Sequence, residues 1–76
     1  MKHLEQNTPE EIGRLVQAER KRQGVTQMQL AALAGTGIRF VSDLENGKPT
    51  IQIGKLLKVV RTLGLGLFIF NPYENR

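Results

Sequence analysis

The 76-residue sequence predicts a mainly α fold, four helices followed by one C-terminal β-strand that pairs across a homodimer. Three observations carry that expectation. Four apolar-periodic segments are each bracketed by polar capping residues or by helix breakers. A single run of four bulky apolar residues stands near the end with no partner segment in its own chain. Finally, a chain this short buries only about 60% of the surface its unfolded form exposes. With no Cys and one His, neither a disulfide framework nor a zinc site of the usual Cys/His spacing can staple it. A second copy is the expected source of the missing stability.

Residues 1–7 show no periodicity and read as a flexible arm. Order is expected from Thr8, because Thr8-Pro9-Glu10-Glu11 combines an N-cap, a proline at the first helical position and acids that complement the helix dipole. Ile12, Leu15 and Val16 form an apolar stripe, and Gly24 offers a left-handed stop, so the first helix spans about 9–23. Thr26-Gln27-Met28-Gln29 repeats the capping-box pattern ahead of Leu30, Ala31, Leu33 and Ala34, a short second helix that ends at Gly35. After the tight turn at Thr36 and Gly37, Phe40, Val41 and Leu44 recur at helical spacing up to the breaker Asn46-Gly47. This third helix is about two turns long. A fourth, starting between 50 and 53, carries Ile53, Leu56, Leu57, Val60 and Leu63 on one face and ends at Gly64. Leu67-Phe68-Ile69-Phe70, between Gly66 and Asn71-Pro72, reads as a strand. An unpaired apolar edge is an aggregation hazard, which pairing with the same strand of a second subunit removes; a core-packed extended tail is the alternative.

Charge is distributed unevenly. Residues 20–61 hold eight basic side chains against Asp43 and Glu45, whereas residues 1–19 carry two basic and four acidic groups. The positive field therefore belongs to the middle of the chain, where a polyanion would be met; a solvated charged face is the plainer reading. No stretch approaches the roughly 18 consecutive apolar residues of a membrane span, and the N-terminus has no apolar signal-peptide region, so a cytoplasmic protein is expected. An enzyme is not. Asp43 and Glu45 are two apart on a helix and cannot face each other, His3 is alone, and no Gly-rich phosphate loop appears. No cofactor or metal is expected either.

The pattern that carries function is residues 26–48, T-Q-M-Q-L-A-A-L-A-G-T-G-I-R-F-V-S-D-L-E-N-G-K. Two short helices joined by a tight turn let the first cross a phosphate backbone while the second enters the major groove of double-stranded DNA. The Thr-Gln start, the Leu-Ala before Ala34-Gly35 and the closing Leu44-Glu45-Asn46-Gly47-Lys48 resemble the Cro/repressor-like (Xre-type) helix-turn-helix family, over about residues 9–64. The stretch from Gly37 to Val60, followed by an apolar strand, is similar to the HipB-like antitoxins. That resemblance implies a transcriptional repressor that binds inverted-repeat operators as a homodimer. It also implies a HipA-like kinase toxin as partner, and a dimer interface made by Leu67, Phe68, Ile69 and Phe70. The chain then divides into the arm (1–7), a helix-turn-helix DNA-binding domain (8–64) and a dimerisation strand and tail (65–76).

Gln27, at the amino end of the second helix, is suited to hold a phosphate together with exposed backbone N–H groups. The resemblance places Ile38, Arg39, Ser42 and Asp43 on the groove-facing side of the third helix. Of these, Arg39 can pair bidentately with guanine O6 and N7, Ile38 can touch a thymine methyl, and Ser42 can bond to bases or phosphate. Asp43, which phosphate would repel, either accepts from cytosine N4 or orients Arg39, with a solvated carboxylate as the alternative. Asn46, Gly47 and Lys48 offer backbone N–H groups and one ammonium to the strand across the groove, with Asn46 and Lys48 as phosphate contacts. The resemblance further implies a structural ion pair between Arg20 and Glu45. Phe40 and Gly37 depart from the family, which more often has a small or polar residue at the first position and Ser or Thr at the second. A ring at position 40 is expected to wedge into the domain. Two rival readings stay open: a protein-interaction module that grips a toxin with little DNA binding, and a free-standing phage-type repressor.

Overall fold

The computed structural model describes residues 8–69, 71 and 73. Four helices follow in order: α1 (Pro9–Arg22), α2 (Gln27–Ala34), α3 (Ile38–Glu45) and α4 (Ile53–Thr62). Each begins where backbone chemistry permits. The Thr8 hydroxyl accepts the Glu11 N–H at 3.1 Å with Pro9 in the first turn, and at α2 the capping box closes in both directions, Thr26 Oγ1 with Gln29 N–H at 3.0 Å and Gln29 Oε1 with Thr26 N–H at 2.9 Å. The α3 and α4 starts, at Gly37 and Gln52, have no side-chain cap.

α2 packs against α3 and α4, and α1 crosses α3. Val16, Leu30, Val41, Leu44 and Val59 are fully enclosed, with Ala31, Ala34, Leu56, Val60 and Leu63 completing the core. Two glycines let backbones meet. A Cβ on Gly13 would lie 2.8 Å from the Glu45 carbonyl oxygen and would also overlap that of Leu44, so α1 rests directly on the last turn of α3. Gly47 has φ +80°, and a Cβ there would lie 2.9 Å from the Glu10 Cα. The Gln23 amide donates to the Leu63 carbonyl at 2.8 Å and ties the end of α1 to the end of α4.

Several expected core positions lie outside it. Leu15 and Ile53 are exposed and Leu57 is half-buried. α1 buries Gly13, Val16 and Arg20, a line set by the Gly13 contact, which leaves Leu15 to the side. α2, only eight residues long, has room for one buried face, filled by Leu30, Ala31 and Ala34. In α4 the burial of Val59 beside Leu56 and Val60 turns the helix so that Ile53 emerges from its first turn.

The strand expected at Leu67–Phe70 does not form within the single chain: no described residue is in a strand, and Phe70 lies outside the described residues. A strand exists through its ladder, and no described segment offers one. Phe68 and Ile69 are 86% and 100% exposed. The arm expected at residues 1–7 also lies outside the described residues. Among the described residues no helix is long and apolar enough to cross a membrane, and no cluster of His, Cys, Asp or Glu could hold a metal ion.

Candidate nucleic-acid interface

The site is built from α2, the turn at residues 35–37, α3 and the turn that follows. Ala31 supports the first turn by accepting the Thr36 N–H at 2.9 Å. On α3, Val41, Leu44 and Glu45 point inward, and the 3.6-residue repeat therefore turns Arg39 and Asp43, four apart, outward as one ridge. Arg39 is exposed and Asp43 half-exposed; Ile38 lies on the shoulder nearer the start of α2, and Ser42, four residues on, shares that side of the helix. Ile38 shares an apolar hollow there with Val25, Met28 and Gln27.

Behind this ridge lies a buried polar junction. Arg20 Nε donates to Glu45 Oε2 at 2.6 Å and Nη2 to Oε1 at 3.0 Å, while Nη1 reaches the Val25 carbonyl at 2.8 Å. The same Oε1 accepts from Gln27 at 3.0 Å and Gln17 at 3.3 Å. The side chains of Arg20 and Glu45 are 10% and 1% exposed. Burial pushes the Glu45 carboxyl up, but the hydrogen bonds from Arg20, Gln27 and Gln17 and the Arg20 charge outweigh it and hold the group below its usual range. Hydrogen bonding to Glu45 raises the Arg20 guanidinium in turn. One carboxylate thus locks α1, the start of α2 and the end of α3 into a fixed relation. Gln27 reaches the interface with one amide N–H already given to Glu45.

At the far end of α3 the geometry differs from expectation. The Asn46, Gly47 and Lys48 N–H groups go to the Ser42, Leu44 and Asp43 carbonyls at 3.0, 3.1 and 3.0 Å. These bonds, with Gly47 left-handed, close α3 in a Schellman turn. The turn's backbone therefore has no free donor for a phosphate, and only the side chains of Asn46 and Lys48, both exposed, face outward. Asp43 also has a partner that the sequence did not suggest: its Oδ2 lies 3.6 Å from Lys48 Nζ. Phe40 packs its half-buried ring against the core, and Lys55 Nζ lies 5.9 Å from the ring centroid.

Gln17, Gly13 and the Phe40–Lys55 contact escaped sequence reasoning. Gly13 carried a signal, since a glycine inside a helix costs about 1 kcal/mol against alanine and so points to a packing need. Gln17 carried none, because its partner lies 28 residues away along the chain, and Lys55, a diffuse cation candidate with Lys21, Arg22 and Lys58, had nothing local to link it to Phe40, 15 residues earlier.

Two short helices around a tight turn, the second presenting an exposed ridge, define a helix-turn-helix domain. The chain belongs to the helix-turn-helix family, which matches residues 16–70. It is 54% identical over 69 residues to the "Uncharacterized HTH-type transcriptional regulator y4mF" of Sinorhizobium fredii (strain NBRC 101917 / NGR234), an alignment covering 91% of each chain. Its fold is also that of a chain in the "Structure of HipA-HipB-O2-O3 complex" and of one in the "HipB-O4 20mer complex". Each has a TM-score of 0.77 and 22% identity, over 86% of this chain and 92% of the other. Its class is therefore that of the HTH-type transcriptional regulators.

Proposed function

We propose that the chain is a sequence-specific DNA-binding repressor rather than an enzyme, acting as a homodimer on an inverted-repeat operator. The observation that carries the reading is the outward ridge of Arg39 and Asp43 on α3, held by a buried junction and flanked by Gln27 and Lys48. Arg39 and Asp43 read bases, with Ile38 and Ser42 beside them; the side chains of Gln27, Asn46 and Lys48 meet phosphate. The division of labour follows from chemistry, since phosphate contacts set register and base contacts set sequence. Residues 8–64 serve as the DNA-binding unit and 65–76 as the dimerisation segment. The exposed Leu67, Phe68 and Ile69 support that assignment, because an apolar run of this kind gains most from pairing with its own copy.

Selection from randomised duplexes tests the proposal. An inverted repeat with half-sites centred about 10 base pairs apart, or a multiple of that, is the expected product; a pool that stays random overturns sequence-specific binding. Ile69→Lys should yield monomer or aggregate in light scattering, and an intact dimer of unchanged stability would remove the strand interface.

We infer further that the partner is a HipA-like kinase toxin, for which the chain acts as antitoxin. The shared fold with chains of HipB complexes supports this. Affinity capture from the native host, expected to recover a kinase-fold protein, is the test. Recovery of DNA alone would favour a free-standing repressor.

A further inference from the structure

The major groove has two walls, and a helix lying in it presents a shoulder to each. On α3 the shoulder nearer α2 carries Ile38 and Ser42, next to Gln27. The opposite shoulder carries Phe40, about 100° round the helix from Arg39, and it faces α4. A groove about 12 Å wide brings the second phosphate strand past this side. The cation there is Lys55, exposed, in the first turn of α4, with its ammonium 5.9 Å from the Phe40 ring centroid.

Lys55 is out of place for a purely structural cation. A positive charge in the first turn of a helix opposes the dipole, and α4 has no acidic residue in that turn to offset it. Among the described residues no carboxylate pairs with Lys55, in contrast to Lys48, which Asp43 accompanies. What attracts its ammonium is the face of the Phe40 ring, a weak interaction at an exposed site. An anion arriving from solvent would relieve the unbalanced charge without breaking a pair. The ring is itself seated against the core, so it supplies a fixed platform one residue from the base-reading ridge.

We propose that Lys55 is a phosphate anchor on the α4 side of α3 and that Phe40 is the residue that positions it. This rests on the DNA-binding reading above. It also explains why an aromatic ring stands on a helix whose neighbouring side chains are suited to bases: the ring packs against the core and its face steers a cation.

The test is a titration of the wild-type chain, Lys55→Gln, Lys55→Arg, Phe40→Leu, the Lys55→Gln/Phe40→Leu double variant and Arg39→Ala. The probes are the duplex enriched by selection and a scrambled duplex, each at two salt concentrations. Lys55→Gln should weaken both duplexes by the same several-fold factor and reduce the salt slope by about one per subunit, and Lys55→Arg should restore both. Phe40→Leu, checked by thermal unfolding so that only folded protein is compared, should weaken binding about two- to fivefold, the size of an exposed cation–π contact. In the Lys55→Gln background it should have no further effect. Unchanged affinity and slope in Lys55→Gln overturn the anchor, while Arg39→Ala still losing sequence preference would leave the DNA-binding reading standing. An equal Phe40→Leu effect in both backgrounds overturns the positioning role, and a wild-type chain that binds neither duplex overturns both readings together.

Discussion

Glu45 and Asp43 sit two residues apart on the same two-turn helix, and their surroundings could hardly differ more. The Glu45 side chain is 1% exposed and accepts from Arg20, Gln17 and Gln27, side chains of two other helices. Asp43 is 33% exposed and has one loose ion pair at 3.6 Å. Helical geometry produces the contrast, because a rotation of about 200° separates the two positions. The inner carboxylate is committed to holding helices together, and the outer one is left available to a ligand. Two acids of similar chemistry thus differ in what they are free to do: Glu45 is spent on structure, while Asp43 keeps an exposed edge.

The largest expected effect breaks the inner side. Glu45→Ala strands the Arg20 guanidinium and should cost about 3–5 kcal/mol, against a total on the order of 5–10 kcal/mol for a domain this size. Chemical denaturation should show a sharply lowered midpoint, with about a third or more of the wild-type stability lost; a loss below about 1 kcal/mol would make the junction ornamental. Gly13→Ala should follow, costing about 1–3 kcal/mol through overlap with the Leu44 and Glu45 carbonyls despite alanine's better helix propensity. A neutral or raised melting temperature would show that α1 has room to move.

Acid unfolding sharpens the comparison. The folded Glu45 carboxyl titrates below its ordinary value of 4.5, so its contribution is complete above the unfolded value and is lost as pH falls through the folded one. Stability measured from pH 6 downward should fall below about 4.5, and Glu45→Gln should flatten that limb. The smallest effect belongs outside: Asp43→Asn removes one exposed pair and should change stability by less than about 1 kcal/mol. A larger loss would place Asp43 among the structural residues.

The same contrast explains how much could be read from the sequence. The four helices were legible because Thr8, Thr26, Gly24, Gly35 and Gly64 mark their ends within a few residues of the positions they govern. The Arg20–Glu45 pair was reachable only by resemblance, since nothing local links residues 25 apart. Periodicity misjudged Leu15 and Ile53, because it reports an apolar stripe but not which edge of the stripe the neighbouring helices cover. The closing turn misled for a related reason. Asn46-Gly47 signals a stop, yet whether its N–H groups face a ligand or the helix's own carbonyls depends on the Schellman geometry. At the C-terminus, an apolar run without a partner segment states that something is missing and leaves open what fills the gap.

The central claim is that the outer face of α3 reads sequence while the inner face only supports it. Binding of Arg39→Ala to the selected duplex and to its scrambled counterpart measures this directly. The account predicts a loss of about 1–3 kcal/mol on the selected duplex, with preference relaxed at one base pair per half-site and nearly unchanged affinity for scrambled DNA. An equal loss on both duplexes would contradict it, leaving Arg39 as one more phosphate contact.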